Sequence, residues 1–279
     1  MARDSSVLVT GAGGQVGTAL RPLLPAARFA TRSALDVTDE SAVAAAVAGR
    51  SLIVHLAANT HVDRCELQPG DAERVNAGGT GIIAAAARAH GAKVIYVSTD
   101  YVFAGDRAGE YSEDDPVDPL NVYGRTKLAG EHQLDSAVDL IVRSSWIFGA
   151  GHNFIRTVLE ASKRGPVRVV DDQRGRPTSA IALATALAFL VDSELHGTIH
   201  VAGDGEPCTW ADLAETALGL AGRAEQVVRI DTPTYIAGAN KVLAPRPRNS
   251  ALALMKAKSL GVPLLDWRRS VHDYMEAGA

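Results

Sequence analysis

The stretch VLVTGAGGQVG, residues 7–17, sets an apolar run directly against a loop that holds four glycines in seven residues, Gly11 to Gly17. An apolar tetrapeptide followed at once by a glycine turn reads as a buried strand feeding a helix, the opening unit of a parallel α/β sheet. The turn departs from the G-x-G-x-x-G dinucleotide fingerprint, whose last glycine would fall on Val16. It fits G-x-x-G-x-x-G instead, with Gly11, Gly14 and Gly17. Glycine permits the sharp turn and lets a phosphate approach the backbone with no Cβ in the way. The N–H groups and positive end of the following helix favour an anion. Gly11 then makes the turn, Gly14 lies under a pyrophosphate, and Gly17 lets the helix close on the strand. A tight strand–helix turn without a ligand asks for similar glycines, so the loop alone leaves both readings open.

In dinucleotide folds an acid at the end of the second strand holds the ribose 2′-hydroxyl of NAD. The matching region here is Phe29-Ala30-Thr31-Arg32-Ser33. Arg32 suits a 2′-phosphate, which favours NADPH and leaves NADH open.

Working outward, apolar runs at 7–10, 28–31, 52–57, 93–98 and 140–143 read as strands. Helical stretches at 15–24, from Thr38 to near Gly49, at 72–90 and at 123–134 alternate with them. Near-continuous apolar strands alternating with helices predict an α/β fold, a Rossmann-like doubly wound parallel sheet. Beyond Arg143 the pattern loosens, and prolines at 207, 233, 245, 247 and 263 break the last third. The expected division is a core over 1–150, rejoined by about 180–203, and a smaller substrate-binding lobe from 151–179 and 204–279. Residues 104–121, rich in Asp, Glu, Gly and Pro, predict a long loop.

With 279 residues the chain can bury a large core. A net charge of −4 offers no basic surplus for a nucleic acid polymer. Cys65 and Cys208 match no metal spacing and fit a reduced, cytoplasmic setting. No apolar leader precedes the first strand, and the longest apolar stretch, near 181–191, falls short of the roughly 20 residues a membrane span needs.

A second constellation is Tyr123-Gly124-Arg125-Thr126-Lys127. On a helix Tyr123 and Lys127 share one face. A surface tyrosine–lysine pair would look the same, but Ser98-Thr99-Asp100 closes a predicted strand at the sheet edge where α/β folds bind ligands. Reducing a ketone takes a hydride to carbon and a proton to oxygen. A phenol of pKa about 10 is a slow acid–base group at neutral pH, and a nearby ammonium favours the phenolate. Thr99 can hydrogen-bond the carbonyl oxygen, Tyr123 can supply the proton, and Lys127 can activate the phenol and hold the nicotinamide ribose.

Together the glycine spacing, Thr99 and Tyr123-x-x-x-Lys127 resemble the extended, nucleotide-sugar branch of the short-chain dehydrogenase/reductase superfamily. The segments AANTHVD at 57–63, VNAGGT at 75–80, VSTDYVF at 97–103, PLNVYGRTKLAGE at 119–131, RSSWIFG at 143–149, NF at 153–154 and DDQRGRPT at 171–178 narrow the resemblance. They are similar to the dTDP-4-dehydrorhamnose reductase family, over nearly the whole chain. The resemblance implies NADPH-dependent reduction of the 4-keto group of a dTDP-4-keto-6-deoxy sugar, to dTDP-L-rhamnose in the family's own reaction. It carries over Tyr123 as proton donor, Lys127 as its activator and Thr99 as the carbonyl-orienting hydroxyl. It lays Gly14, Gln15 and Val16 along the pyrophosphate, Asp36 and Val37 at the adenine side, and Ala57, Ala58, Asn59 and Thr60 in the third-strand loop. Val62, Asp100 and Trp146 match sugar contacts, although Trp146 also suits a core aromatic. Arg246 and Asn249 are candidates for the nucleotide diphosphate, or simply for a turn in the small lobe.

Two departures bear on this. Some members carry a glutamate shortly after the Pro-Thr of DDQRGRPT, used in a metal-linked dimer. Here Ile181 stands in that stretch, so no metal and a monomer or weak homodimer are expected. The usual Asp-Gly after Val-Phe is Ala104-Gly105, which alters a turn. Three rivals stay in view. A 4,6-dehydratase would need an acid after Thr99-Asp100, where Tyr101 stands. A reductase of another dTDP-keto sugar is fully open. A non-catalytic NADP(H)-binding regulator would not require Thr99, Tyr123 and Lys127 together.

Overall fold

The computed structural model describes residues 4–239 and 242–278. Its centre is a six-stranded sheet of β1 (Val7–Thr10), β2 (Arg28–Ala30), β3 (Leu52–His55), β4 (Lys93–Thr99), β5 (Leu140–Ser144) and β6 (Gly197–His200). The spatial order is β6-β5-β4-β3-β1-β2, and every neighbouring pair is parallel. The chain therefore reverses its direction of winding between β1 and β3, which opens a crevice at their carboxyl ends. The α/β, Rossmann-like reading of the sequence holds.

Helices cover both faces. On one side α1 (Gln15–Leu20) and α7 (Ala180–Val191) pack with Val7, Val9, Val54, Val142 and Ile199 in one apolar layer. On the other, α2 (Glu40–Val47) and α4 (Gly79–Ala89) pack on Leu8, Ile53, Val94 and Tyr96. Alternate strand residues feed the two layers, which is why both faces are apolar and the runs are nearly continuous. Side-chain caps set several helix starts: Asp39 accepts from Ala42 N at 3.0 Å, and Ser179 accepts from Ala182 N at 3.0 Å.

The structure trims several expected elements. The first helix stops at Leu20 and continues as turns, and β3 stops at His55. The stretch expected as one helix over 72–90 is three segments, Pro69–Glu73, a π-helical turn at Arg74–Gly78, and α4. Residues 104–121 form the expected long loop up to the start of the next helix. It is pinned by Tyr111, whose backbone donates to Ala251 O at 2.8 Å and accepts from Ala253 N at 2.7 Å.

A further apolar cluster joins α6 (Phe154–Ser162), α8 (Trp210–Leu220) and α9 (Trp267–Glu276) through Ile155, Leu213, Trp267 and Val271. Short two-residue strands accompany this cluster, 147–148 pairing with 178–179 and 174–175 with 208–209. Among the described residues no helix is long and apolar enough to cross a membrane.

Candidate active site

Three glycines of the first loop answer three different constraints. Gly11 has φ +66°, and a Cβ there would stand 2.6 Å from Ala57 N in the loop after β3. A Cβ on Gly17 would stand 2.6 Å from Ala12 Cα, so the helix closes on the loop itself rather than on the strand. Gly14 donates to Gly11 O at 3.0 Å, and a Cβ there would lie 3.3 Å from that oxygen. Gly13 has nothing nearer than Thr31 at 3.7 Å. Val16 is buried beneath the loop. Gln15 donates to His152 O at 3.4 Å, while its Oε1 is buried with no hydrogen-bond partner. A Cβ-free turn beside an unused buried acceptor fits a dinucleotide, whose pyrophosphate takes backbone N–H groups and whose ribose offers hydroxyl donors.

Ala57, Ala58 and Asn59 are half-buried and Thr60 exposed, facing that loop across the β1–β3 crevice. Their course is fixed by Asn76, which sequence reasoning did not single out. Asn76 Oδ1 accepts from Asn59 N at 2.7 Å, and its Nδ2 donates to Asn59 O at 3.2 Å and to Thr126 Oγ1 at 3.0 Å. One buried amide thus ties the cofactor loop to α5 (Val122–Glu131), the helix of Tyr123 and Lys127. The VNAGGT segment held the clue, but only as a resemblance.

At the far end of the crevice Arg32 and Asp36 are both exposed. Asp36 accepts from the Thr38 backbone at 2.9 Å and its hydroxyl at 2.8 Å. These bonds, with a smaller pull from Arg32, hold its carboxyl below the usual range. Val37 is buried against Gly79, where a Cβ would come within 2.8 Å of it.

The reaction side begins at the carboxyl end of β4. Thr99 is buried there, and α5 starts with Asn121 accepting from Gly124 N at 2.8 Å. A side chain at Gly124 would collide with the Tyr101 carbonyl, so the helix lies directly on the turn that carries Asp100. This contact brings the half-buried Tyr123 alongside the strand end that carries Thr99. The Tyr101 and Tyr123 rings meet edge-on with centroids 6.1 Å apart.

Lys127 is 2% exposed. Its Nζ donates to Val97 O at 2.8 Å and stands 3.9 Å from the Tyr96 ring centroid. Burial lowers its pKa to about 7, opposed by the charge of Glu131. Burial also raises the Tyr123 phenol above its ordinary value, the Thr99 bond opposing and the Asp100 charge reinforcing. The Tyr123–Lys127 spacing predicts an ammonium that brings the phenol toward neutral pH. In this structure desolvation outweighs the opposing contributions at the phenol. A phenol that stays protonated is the form a ketone reduction draws on.

Glu131 anchors the other end of α5. It accepts from Ser98 and pairs with Arg143 through both oxygens, at 3.0 and 2.7 Å, all three residues being buried. Glu131 and Ser98 lie within segments that carry the family resemblance, but no spacing in the sequence marks either as part of the site.

On the substrate side Asp100 is 2% exposed, with Thr99 donating to one oxygen and Ser250 to the other. Val62 is half-buried at the start of α3 (Val62–Leu67). Beside it, Asp63 pairs with Arg246 at 2.6 Å, and Arg246 also donates to Ala244 O at 2.6 Å. Asn249 commits its amide hydrogens to Arg107 O at 2.9 Å and Gly109 O at 2.8 Å, fastening the long loop. Gly105, φ +82°, lets that loop pass against Pro247, so the altered turn is where the two segments touch.

Trp146 is the only non-glycine with positive φ, +47°, among the described residues. Its indole stacks on Trp210 at 3.7 Å between centroids and 7° between planes, and Gly175 leaves room for its edge. A left-handed tryptophan costs roughly 1–3 kcal/mol and persists only where its surroundings fix it.

Thr99 and Asp100 thus stand at the carboxyl end of β4, Tyr123 and Lys127 lie on the helix packed against it, Arg246 pairs with Asp63 nearby, and Asn249 faces the long loop. The family model for the RmlD substrate binding domain matches residues 5–279. The chain belongs to that family. It is 40% identical to a dTDP-4-dehydrorhamnose reductase of Streptomyces griseus, over 97% of this chain and 93% of the other. It is 38% identical to a dTDP-4-keto-6-deoxy-D-glucose reductase of Streptomyces niveus, over 93% of each. The structure of a dTDP-4-dehydrorhamnose reductase of Bacillus anthracis in complex with NADP matches with a TM-score of 0.88 at 32% identity, over 98% of this chain and 99% of that one.

Proposed function

We propose that this protein reduces the 4-keto group of a dTDP-4-keto-6-deoxy sugar with NADPH, converting dTDP-4-dehydrorhamnose to dTDP-L-rhamnose. What supports the reading is that Thr99 closes β4 while Tyr123 and Lys127 lie on the helix packed on that strand end, with Lys127 Nζ donating to Val97 O at 2.8 Å. The family's reductases, and the NADP-bound relative among them, support the substrate class and cofactor.

When bound, the nicotinamide supplies a hydride to the ketone carbon. The chain's own residues handle the proton. Thr99 holds the ketone oxygen, and Tyr123 gives it the phenolic proton. Lys127 then stabilises the phenolate left behind, which matters because burial disfavours that anion. Gly11, Gly14, Gln15, Val16 and Gly17 hold the pyrophosphate, with Ala57, Ala58, Asn59 and Thr60 across the crevice. Arg32 meets the 2′-phosphate, and Asp36 and Val37 flank the adenosine. Val62 and Trp146 line the sugar, Asp100 acts on it through Thr99, and Arg246 and Asn249 shape the diphosphate end. The working division is a core of 1–150 with 180–203, and a substrate lobe of 151–179 and 204–279. A cytoplasmic monomer or weak homodimer completes the reading.

A reductase of another dTDP-keto sugar is the second reading, favoured by the Streptomyces niveus enzyme lying within two percentage points of identity of the Streptomyces griseus one (38% against 40%). Purified protein supplied with NADPH and dTDP-4-keto-6-deoxyhexose, with and without a 3,5-epimerase, tests both. We expect NADPH consumption and dTDP-L-rhamnose by NMR when the epimerised sugar is present. A different C4 configuration selects the second reading, and no turnover of any such sugar refutes the activity.

A further inference from the structure

The Asp100 carboxylate lies between two hydroxyls brought from distant parts of the chain. Ser250 donates to Oδ2 at 2.5 Å, and Thr99 donates to Oδ1 at 3.1 Å. Ser250 is 1% exposed, and its backbone N–H donates to Arg174 O at 2.8 Å, which fixes it from the small lobe.

Each hydroxyl has one hydrogen to give. While Asp100 is ionised both its oxygens accept, and the Thr99 hydrogen is committed to Oδ1. The Thr99 oxygen can then only accept, as it does from the Tyr101 N–H at 3.2 Å. A ketone oxygen is itself an acceptor, so a threonine in this state cannot hold it. A neutral Asp100 reverses the arrangement. Its carboxyl hydrogen goes to Thr99 Oγ1, Ser250 still donates to Oδ2, and the Thr99 hydrogen is released toward the ketone.

We propose that Asp100 and Ser250 are positioning residues that set the direction of the Thr99 hydroxyl, and that the ketone-holding form is the one with Asp100 neutral. This rests on the ketoreductase reading above. Burial favours the neutral form and raises the Asp100 pKa to about 7, the Ser250 and Thr99 bonds opposing. The groups around it are the Tyr101 phenol next in the chain, the Tyr123 phenol on α5, and the Arg246–Asp63 pair near Tyr101. Arg246 pairs with Asp63, which leaves the Asp100 carboxylate to the hydroxyls.

The test is the pH dependence of the single-turnover rate of NADPH oxidation by the full chain with dTDP-4-keto-6-deoxy sugar. Both Asp100 and Lys127 lose their active form as pH rises past about 7, so the wild-type alkaline limb should be of two-proton steepness. In Asp100→Asn the amide nitrogen donates to Thr99 at every pH, and the limb should fall to one-proton steepness. Ser250→Ala removes a bond that favours the carboxylate, so one of the two breaks should move to higher pH. Ser250→Thr, which keeps the hydroxyl, should restore the wild-type profile. NADPH affinity, measured by fluorescence, should stay within twofold throughout and reports a folded cofactor site. Either variant suffices if the other does not fold. A two-proton limb persisting in Asp100→Asn, or a Ser250→Ala profile that superimposes on wild type, overturns the inference alone. Absence of turnover by wild type at every pH overturns the activity and the inference together.

Discussion

Tyr123 shows how burial divides the labour within the pocket. Its phenol is held protonated by desolvation, so it is ready to give a proton and poor at keeping the resulting negative charge. Removing the hydroxyl in Tyr123→Phe should lower kcat by a factor of about 10² to 10⁴, the usual range for a general acid, while the NADPH Kd stays near wild type. A variant that keeps most of its rate would place the proton donor elsewhere. Asn76 makes the complementary case, a residue that touches no reacting group. Its amide satisfies the Asn59 backbone on both sides and reaches Thr126, whose hydroxyl donates to Tyr123 O at 3.0 Å. Asn76→Leu leaves those buried groups unpaired and should cost about 1–3 kcal/mol for each group left unsatisfied. Urea unfolding should show that loss, and the NADPH Kd should rise with it, because the same bonds shape the cofactor loop.

At the scale of elements, the glycine loop gives a paired comparison. Gly11→Ala puts a Cβ onto Ala57 N in a backbone of φ +66°, whereas Gly13→Ala meets nothing closer than 3.7 Å. The first should lower Tm by several degrees and weaken NADPH binding at least tenfold, and the second should leave Tm near wild type. Equal effects would mean that the spacing of these glycines answers to something other than backbone fit. Such elements differ in how far they could be read from the chain alone. The strands β1 and β3 to β5 are continuous apolar runs, and the Thr99, Tyr123 and Lys127 spacing follows from helix and strand periodicity. The π-helical turn at Arg74–Gly78 carries no local signal, because its form comes from Asn76 bonding to another loop. The same holds for Trp146, whose left-handed backbone reflects the stack on Trp210, and for Ser250, which meets Asp100 across 150 residues of chain. Local pattern fixes which element forms, and tertiary hydrogen bonds decide where it bends or stops.

For the whole molecule, acid is the sensitive direction. His55, between Thr10 and Thr80 hydroxyls at 2.7 and 3.2 Å, and His200 are both buried, and burial lowers each pKa from 6.5 to about 3. Below pH 6.5 the unfolded chain takes up protons that the native state refuses. Stability present above that pH is therefore lost as pH falls toward 3, by about 1.4 kcal/mol per pH unit for each histidine. Urea unfolding between pH 7 and 4 should show this decline, and His55→Gln should make it shallower. A flat profile would mean that neither ring is held neutral.

The Ser250–Asp100 contact also has a consequence for synthesis. The sheet is finished once β6 has emerged, near residue 200, yet the partner of Asp100 is added 50 residues later. On a ribosome the cofactor crevice can form well before the reaction pocket is closed. A growing chain should thus capture NADPH while still unable to spend its hydride on a sugar.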